Sequence, residues 1–119
     1  MPAFPRGGGA TIDITVSVKR LALYHDAMIR SFKCKHTQAL FEGENPRPFR
    51  AIKAAAERKL QMLNAAVTLD FLRSPPGNRL EALRGEREGQ YSIRINQQWR
   101  VCFVWSDDGP CEVEIVDYH

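Results

Sequence analysis

Apolar residues recur at three- and four-residue steps along the middle of the chain, at Phe49, Ile52, Ala56, Leu60, Leu63 and Ala66. Lys53, Glu57 and Arg58 occupy much of the opposite side. This spacing predicts an amphipathic helix of about five turns. Residues 69–72 are expected to add a last turn before the Ser/Pro/Gly stop signal at residues 74–77.

Beyond this stop signal the apolar period changes to two, which is typical of β-strands. Alternation runs through residues 91–96 and 101–105, and a turn then leads into a third strand at residues 112–118. A short strand is also expected at residues 29–33 and a short helical turn at residues 36–42. The pattern therefore predicts an α+β domain, with helices packed on one face of a mainly antiparallel sheet and the other face partly open.

Residues 1–27 have a different character from the rest. The first ten residues are rich in Pro and Gly, and alternation at residues 11–18 allows a short strand, but the features of a secretory signal are missing. Met28 is followed by a fresh strand pattern. We therefore expect residues 1–27 to be an extension upstream of a natural start at Met28, and residues 28–119 to form the domain. An extra element that covers a sheet edge is the alternative.

Length and composition limit the functional classes. A chain of 119 residues with 44% hydrophobic and 26% charged residues is expected to form one ordinary globular domain. Its apolar runs are far shorter than the ~20 residues that span a bilayer, so no membrane span is predicted. The three cysteines and three histidines lack zinc-ligand spacing. We expect no metal or cofactor, and a reducing, cytoplasmic environment.

Charge is more informative in its distribution than in its total, because the net charge is only +3. The 28 residues from position 73 to 100 contain no lysine but six arginines: Arg73, Arg79, Arg84, Arg87, Arg94 and Arg100. A guanidinium binds phosphate oxygens bidentately and stacks on bases. Arg94 and Arg100 fall on the more polar faces of their strands, where a ligand could reach them. The alternative is a solvated face with ion pairs to Glu81, Glu86 and Glu88.

The chain ends with three side chains that could handle protons or bind RNA, Asp117, Tyr118 and His119. An imidazole exchanges protons near neutral pH, and a carboxylate can act as a base or orient one. Tyr118 could stack on a base or hydrogen-bond to phosphate. Strand alternation places Asp117 and His119 on the same side, where they could cooperate. A solvated chain end is the alternative.

The last third also carries a longer motif, which runs Leu80-x-x-Leu83-x-Gly85-x-x-x-Gly89-x-x-Ser92-Ile93-Arg94-Ile95-Asn96-x-x-Trp99-Arg100-x-x-Phe103 and closes on Asp117-Tyr118-His119. With the opening Met28-Ile29-Arg30-Ser31-Phe32, it resembles the HigB group of the RelE/ParE toxin superfamily, the GraT-type members in particular. The resemblance covers residues 28–119 and implies the small α+β fold of that superfamily.

This resemblance implies a toxin of a type II toxin–antitoxin system. HigB-like toxins are ribosome-dependent endoribonucleases that cut mRNA without a metal, by attack of a 2′-hydroxyl. A helix-turn-helix antitoxin of the HigA type restrains them and carries the complex to operator DNA. The superfamily also contains ParE-like toxins that bind DNA gyrase. A non-enzymatic gyrase poison, or a catalytically weak toxin that retains antitoxin binding, is therefore the alternative.

The resemblance also suggests individual roles. It places a functional arginine at Arg100, which would stabilise charge on the phosphate, and a basic residue at Arg84. Arg84 and nearby Arg87 are expected to hold RNA backbone, as is Arg79. For Arg94, RNA contact and a structural ion pair remain equal alternatives. Several relatives carry histidine where this chain has Glu81; a glutamate is the poorer acid at neutral pH, so slow cleavage is the hypothesis.

Overall fold

The computed structural model describes residues 28–118, so the expected extension at residues 1–27 and the terminal His119 lie outside the described residues. Two α-helices come first, α1 (Lys35–Phe41) and α2 (Lys53–Ala65). Four strands follow them: β1 (Glu81–Ala82), β2 (Tyr91–Arg94), β3 (Trp99–Ser106) and β4 (Gly109–Asp117). No helix within residues 28–118 is long and apolar enough to cross a membrane.

The four strands form one sheet in the order β1-β2-β3-β4, and every neighbouring pair is antiparallel. The three strands predicted from alternation are confirmed. Strand β1 was missed, because two residues are too short to show any alternation. Strand β4 contains a bulge opposite Phe103, where Glu112 adopts φ 54° and adds one residue between the pairs Cys102–Glu114 and Val104–Cys111.

The predicted strand at residues 29–33 is wrong as a regular element. Only Phe32 forms a bridge, parallel to Val113, although the Lys33 N–H also donates to the Val113 carbonyl at 2.9 Å. The Ile115 N–H donates to the buried Thr37 hydroxyl at 3.0 Å. This segment and α1 therefore satisfy the outer edge of β4, which would otherwise expose unpaired backbone groups.

The predicted five-turn helix is confirmed as an element, but it has two parts. Its first stretch, Arg47–Ile52, is a 3-10 helix, and α2 continues from it. Ala66 ends the helix with extended backbone at ψ 123°. The expected last turn is consequently a separate 3-10 turn, Asp70–Arg73, and not a continuation of α2.

The core lies between α2 and one face of the sheet. Its fully buried members include Leu60 and Leu63 from α2 and Ile93, Val101 and Phe103 from the strands. Each large apolar side chain buried in this way contributes roughly 1.5–3 kcal/mol relative to leaving it exposed. The helices therefore cover one face of the sheet, as predicted.

Tyr91 and Trp99 also belong to this face and are packing residues. Tyr91 stacks on Phe103, with ring centroids 6.3 Å apart, and Trp99 meets Phe49 edge-on at 5.7 Å. Cys102, on the other face of β3, is fully buried, whereas Cys34 and Cys111 are partly exposed; all three are free thiols.

Asn78 anchors the chain between α2 and β1. It is completely buried, and its Nδ2 donates to the Leu72 carbonyl at 3.0 Å. Its Oδ1 accepts from Lys59 Nζ on α2 at 2.6 Å. Since a buried amide is stable only when it is hydrogen-bonded, these contacts fix where the chain enters the sheet.

We expect Asn78→Ala to lower the free energy of unfolding by about 2 kcal/mol, because it leaves the buried Leu72 carbonyl without its donor. Chemical denaturation monitored by circular dichroism measures this change. The control is Gln61→Ala, an exposed position on α2, which should change stability by less than ~0.5 kcal/mol. Equal effects of the two substitutions would contradict an anchoring role for Asn78.

Candidate functional site: an arginine-lined cleft

Arg100 is the most unusual charged residue among those described, because it is only 7% exposed. Its Nε donates to the Ser92 hydroxyl at 2.7 Å, and its Nη2 donates to the Arg79 carbonyl at 2.6 Å. A buried charge is costly unless it is hydrogen-bonded, and these bonds offset the cost. Within residues 28–118, Nη1 has no acceptor, so one side of the guanidinium remains available to a ligand.

Arg94 lies directly opposite Arg100 in the β2–β3 register. Like charges at opposed positions of two antiparallel strands repel each other. Among the described residues Arg94 forms no ion pair, so the structural alternative expected for it, a bond to a neighbouring glutamate, is wrong. Two adjacent cations without a counterion at Arg94 favour binding of an anion.

The two arginines open into a polar cleft on the face of the sheet away from α2. Its volume is about 200 Å³. We call it the arginine cleft and define it by its lining residues, Arg79, Glu81, Arg94, Asn96, Gln97, Arg100 and Tyr118. Three guanidinium groups and one carboxylate give this lining a formal charge of +2. The prediction that Arg94 and Arg100 face a ligand-accessible side is thus supported by their position.

The loop before β1 supplies both Arg79 and Glu81 to the cleft. Arg79 has φ 45° and ψ 57°, a left-handed conformation that non-glycine residues seldom adopt. This backbone turns its carbonyl towards Arg100, while its exposed side chain lines the cleft. Glu81 Oε1 lies 3.9 Å from Arg100 Nη2, an ion-pair distance that is too long for a hydrogen bond.

The chain end contributes Tyr118 to the cleft. The Arg100 guanidinium carbon is 5.7 Å from the centre of the Tyr118 ring, within the range of a cation–π contact. Asp117, in contrast, pairs opposite Trp99 and does not line the cleft. Gln98 holds both residues in place. Its side-chain Nε2 donates to Asp117 Oδ2 at 3.0 Å, and its backbone carbonyl accepts from the Tyr118 N–H at 2.7 Å.

Arg84 and Arg87, expected to hold RNA backbone, lie outside the cleft lining. Arg84 is exposed. Arg87 Nη1 donates to Glu114 Oε2 at 3.0 Å, and this hydrogen bond raises the pKa of Arg87. Burial raises the pKa of the neighbouring Cys102 thiol, with an opposing effect from Arg87. Of the ion pairs expected for this arginine run, the structure has Arg100 with Glu81, whereas Arg87 uses Glu114 instead.

A larger, mostly apolar groove of about 680 Å³ lies on α2, but it offers less chemistry. Its two charged lining residues, Glu57 and Arg58, have opposite sign. No three His, Cys, Asp or Glu side chains converge within residues 28–118 in a way that could hold a metal ion. The arginine cleft is therefore the candidate site.

Sequence reasoning missed four polar residues at or below this site. Ser92 supports Arg100, Gln98 holds the chain end, and Asn96 and Gln97 line the cleft. A weak signal existed for Ser92, because it occupies the same alternating face of β2 as Arg94. The turn residues gave no signal, since turns are ordinarily polar whether or not they are functional.

Comparison with known proteins gives a family match over most of the chain. A family model described as "RelE-like toxin of type II toxin-antitoxin system HigB" matches residues 30–119. Toxin HigB-1 of Vibrio cholerae is 40% identical over 82 residues, which are 67% of this chain and 86% of that protein. Endoribonuclease HigB of Proteus vulgaris is 31% identical over 94 residues, 77% of this chain and 100% of that protein.

Solved structures with a similar fold include a YoeB–YefM complex and a YoeB dimer, both from Staphylococcus aureus. The first has a TM-score of 0.50 at 18% identity and covers 78% of this chain and 97% of that chain. The second has a TM-score of 0.50 at 16% identity and covers 79% and 98%. Identities this low show the fold alone, and they confirm the predicted α+β architecture.

We expect the arginine cleft to bind inorganic phosphate, and Arg94→Ala to weaken that binding by about tenfold, the factor of one charge-assisted hydrogen bond. Titration at low salt, followed by NMR chemical shifts, measures the affinity, since screening weakens exposed charges. Arg58→Ala is the matched control, an exposed arginine on α2 across the sheet from the cleft. If both substitutions weakened binding equally, phosphate would be responding to net charge and not to the cleft.

Proposed function

The chain belongs to the HigB-like toxins, the RelE-like toxins of type II toxin–antitoxin systems, and we propose that it is an endoribonuclease that cleaves mRNA on the ribosome. The observation that carries this proposal is the arginine cleft, which Arg79, Arg94 and Arg100 line together with Glu81 on an open face of the sheet. The name of the Proteus vulgaris relative supports the same activity.

The proposed reaction is an intramolecular transfer of the phosphoryl group from the 5′-oxygen to the 2′-oxygen of the RNA. The 2′-hydroxyl loses its proton, its oxygen attacks the adjacent phosphorus, and the bond from phosphorus to the 5′-oxygen breaks. The leaving oxygen takes a proton, so the products are a 2′,3′-cyclic phosphate and a 5′-hydroxyl. Catalysis then requires a proton acceptor, a proton donor and a group that neutralises the charge that develops on the phosphate.

Arg100 is assigned to charge neutralisation. Its guanidinium is held in place before the substrate arrives, and its Nη1 is uncommitted among the described residues. Pre-oriented donors in a site shielded from water stabilise a transition state more than mobile ones, because they need no reorganisation during the reaction. Arg79 and Arg94 also line the cleft and are assigned to the neighbouring phosphates.

Glu81 is assigned to proton acceptance, because it is the carboxylate that lines the arginine cleft. Tyr118 presents its ring beside Arg100, where a base could stack or a phosphate could hydrogen-bond to the phenol. His119 is proposed as the proton donor and Asp117 as the group that orients it. Arg84, exposed next to the cleft loop, is assigned to RNA backbone outside the cleft, with Arg87 as a secondary contact.

As a toxin of a type II system, the protein has an antitoxin as its partner. We propose that this antitoxin is of the HigA type, with a helix-turn-helix through which the complex binds operator DNA. The ribosome and mRNA are the proposed targets, which places the action in the cytoplasm.

We expect the full-length protein to cut a defined mRNA on programmed ribosomes, and Arg100→Ala to slow the cut by about 10²-fold or more. Primer extension maps the new ends and measures the rate. Arg58→Ala keeps the same change of charge far from the cleft and should cut like the parent. Reactions without ribosomes test the ribosome requirement.

Two results would contradict the assignment. Equal rates for the parent and Arg100→Ala would remove Arg100 from the chemistry. An intact message, with growth arrest persisting in cells that express the parent, would favour the non-enzymatic alternative in which the toxin binds DNA gyrase.

The glutamate at position 81 leads to a separate prediction about the rate of cleavage. We expect Glu81→His to cleave faster than the parent at neutral pH, because an imidazole both accepts and donates protons there, and a well-matched acid or base contributes about 10²–10⁴-fold. Glu88→His, an exposed position in the following loop, is the control with the same change of side chain. An unchanged or lower rate for Glu81→His would show that the glutamate does not limit catalysis.

A further inference from the structure

Ser92 is fully buried in the middle of β2, where an apolar residue would ordinarily be expected. It pairs with Glu81 on one side and with Cys102 on the other. A buried hydroxyl destabilises a protein unless it is hydrogen-bonded. The Ser92 hydroxyl accepts a hydrogen bond from Arg100 Nε at 2.7 Å, and the Ser92 carbonyl accepts one from Arg100 Nη2 at 3.4 Å.

The Arg79 carbonyl is the second acceptor for Arg100, at 2.6 Å from Nη2. It reaches this position through the left-handed backbone of Arg79, which follows the 3-10 turn Pro76–Asn78. Buried Asn78 holds that turn against α2, so the carbonyl does not depend on a mobile loop. Ser92 and the Arg79 carbonyl therefore hold Arg100 by hydrogen bonds from two different chain segments.

These hydrogen bonds determine which N–H groups of Arg100 can bind a phosphate. A guanidinium can present either its Nε–Nη2 edge or its Nη1–Nη2 edge to an oxyanion. Ser92 occupies the Nε–H, so the first edge is unavailable. Nη2 is also committed, because it donates to the Arg79 carbonyl at 2.6 Å and to the Ser92 carbonyl at 3.4 Å. Phosphate oxygens must therefore be bound through Nη1. A guanidinium free to rotate would sample both modes and place the positive charge less accurately.

We propose that Ser92 is a positioning residue for Arg100: the Ser92 hydroxyl holds the guanidinium in an orientation that leaves Nη1 for a phosphate in the arginine cleft. Where that phosphate is the scissile one, the proposal rests on the nuclease function given above. The hydrogen bond between Ser92 and Arg100 is present in the protein without RNA, and it can be measured without any cleavage.

The test uses full-length protein and three substitutions. Ser92→Ala removes the acceptor, and Ser92→Thr keeps it and should restore the parent behaviour. Ser106→Ala is the matched control: its hydroxyl also bonds within the sheet, to the Gly109 carbonyl at 2.8 Å, but it lies at the opposite end of β3 from Arg100. Ser106 is therefore expected to affect stability and not the cleft.

The first readout is the Arg100 Nε–H signal in a ¹H–¹⁵N NMR spectrum, assigned by its loss in Arg100→Lys. In the parent and in Ser106→Ala this proton should exchange slowly with water. In Ser92→Ala it should exchange faster, and inorganic phosphate should bind about tenfold more weakly, as expected for losing one hydrogen bond to a charged group. Slow exchange that persists in Ser92→Ala, or unchanged phosphate affinity, would overturn the proposal.

The second readout is cleavage on programmed ribosomes. Ser92→Ala should lower kcat by about tenfold and change KM much less, because Ser92 acts only through Arg100 at the scissile phosphate. Arg79 and Arg94, in contrast, are assigned to the neighbouring phosphates that bind the message. A raised KM with unchanged kcat would assign Ser92 to binding and overturn the positioning role. If Ser92→Thr fails to fold, the comparison of Ser92→Ala with Ser106→Ala decides the question.

The two proposals fail in different ways. A parent protein that cuts no RNA would refute the nuclease function, while the exchange and phosphate measurements still decide whether Ser92 positions Arg100. A parent that cuts RNA, with Ser92→Ala cutting equally well, would refute the positioning role alone.

Discussion

A buried guanidinium is the constraint around which this protein is organised. Arg100 lies near the start of β3, an inner strand of the sheet, at 7% exposure, where a cation is stable only if its donors are satisfied. The acceptors come from β2 and from the loop before β1, two separate segments of the chain that meet in the fold. The positions of that loop and of the sheet are thereby linked through one side chain.

The two faces of the sheet have different functions. The helix-covered face packs Phe103 into the core with Leu60 and Leu63 of α2 and provides stability. The other face carries the arginine cleft, which is lined by three guanidinium groups and one carboxylate. Because Asn78 ties the cleft loop to α2, the apolar core also supports the geometry of the site, and the two faces are not independent.

The cleft holds two unfavourable features in the free protein, and a bound anion would relieve the electrostatic one. Arg94 and Arg100 face each other across two strands, and Arg79 holds a backbone conformation that glycine would adopt more easily. Such features reduce the stability of the free protein. Strained or repulsive contacts commonly occur at functional sites, which agrees with the role proposed for the cleft.

The sequence by itself determined the elements and the chemistry, because periodicity reports which residues turn inward. The period of about 3.6 located α2, the period of two located β2 to β4, and the arginine run together with Glu81 and Tyr118 supplied most of the cleft. Only the tertiary structure showed that Arg100 is buried, that Arg87 is paired with Glu114, and that Ser92 and the Arg79 carbonyl hold Arg100. These features depend on contacts between residues far apart in sequence and on a left-handed backbone at a non-glycine residue, and neither leaves a local pattern along the chain.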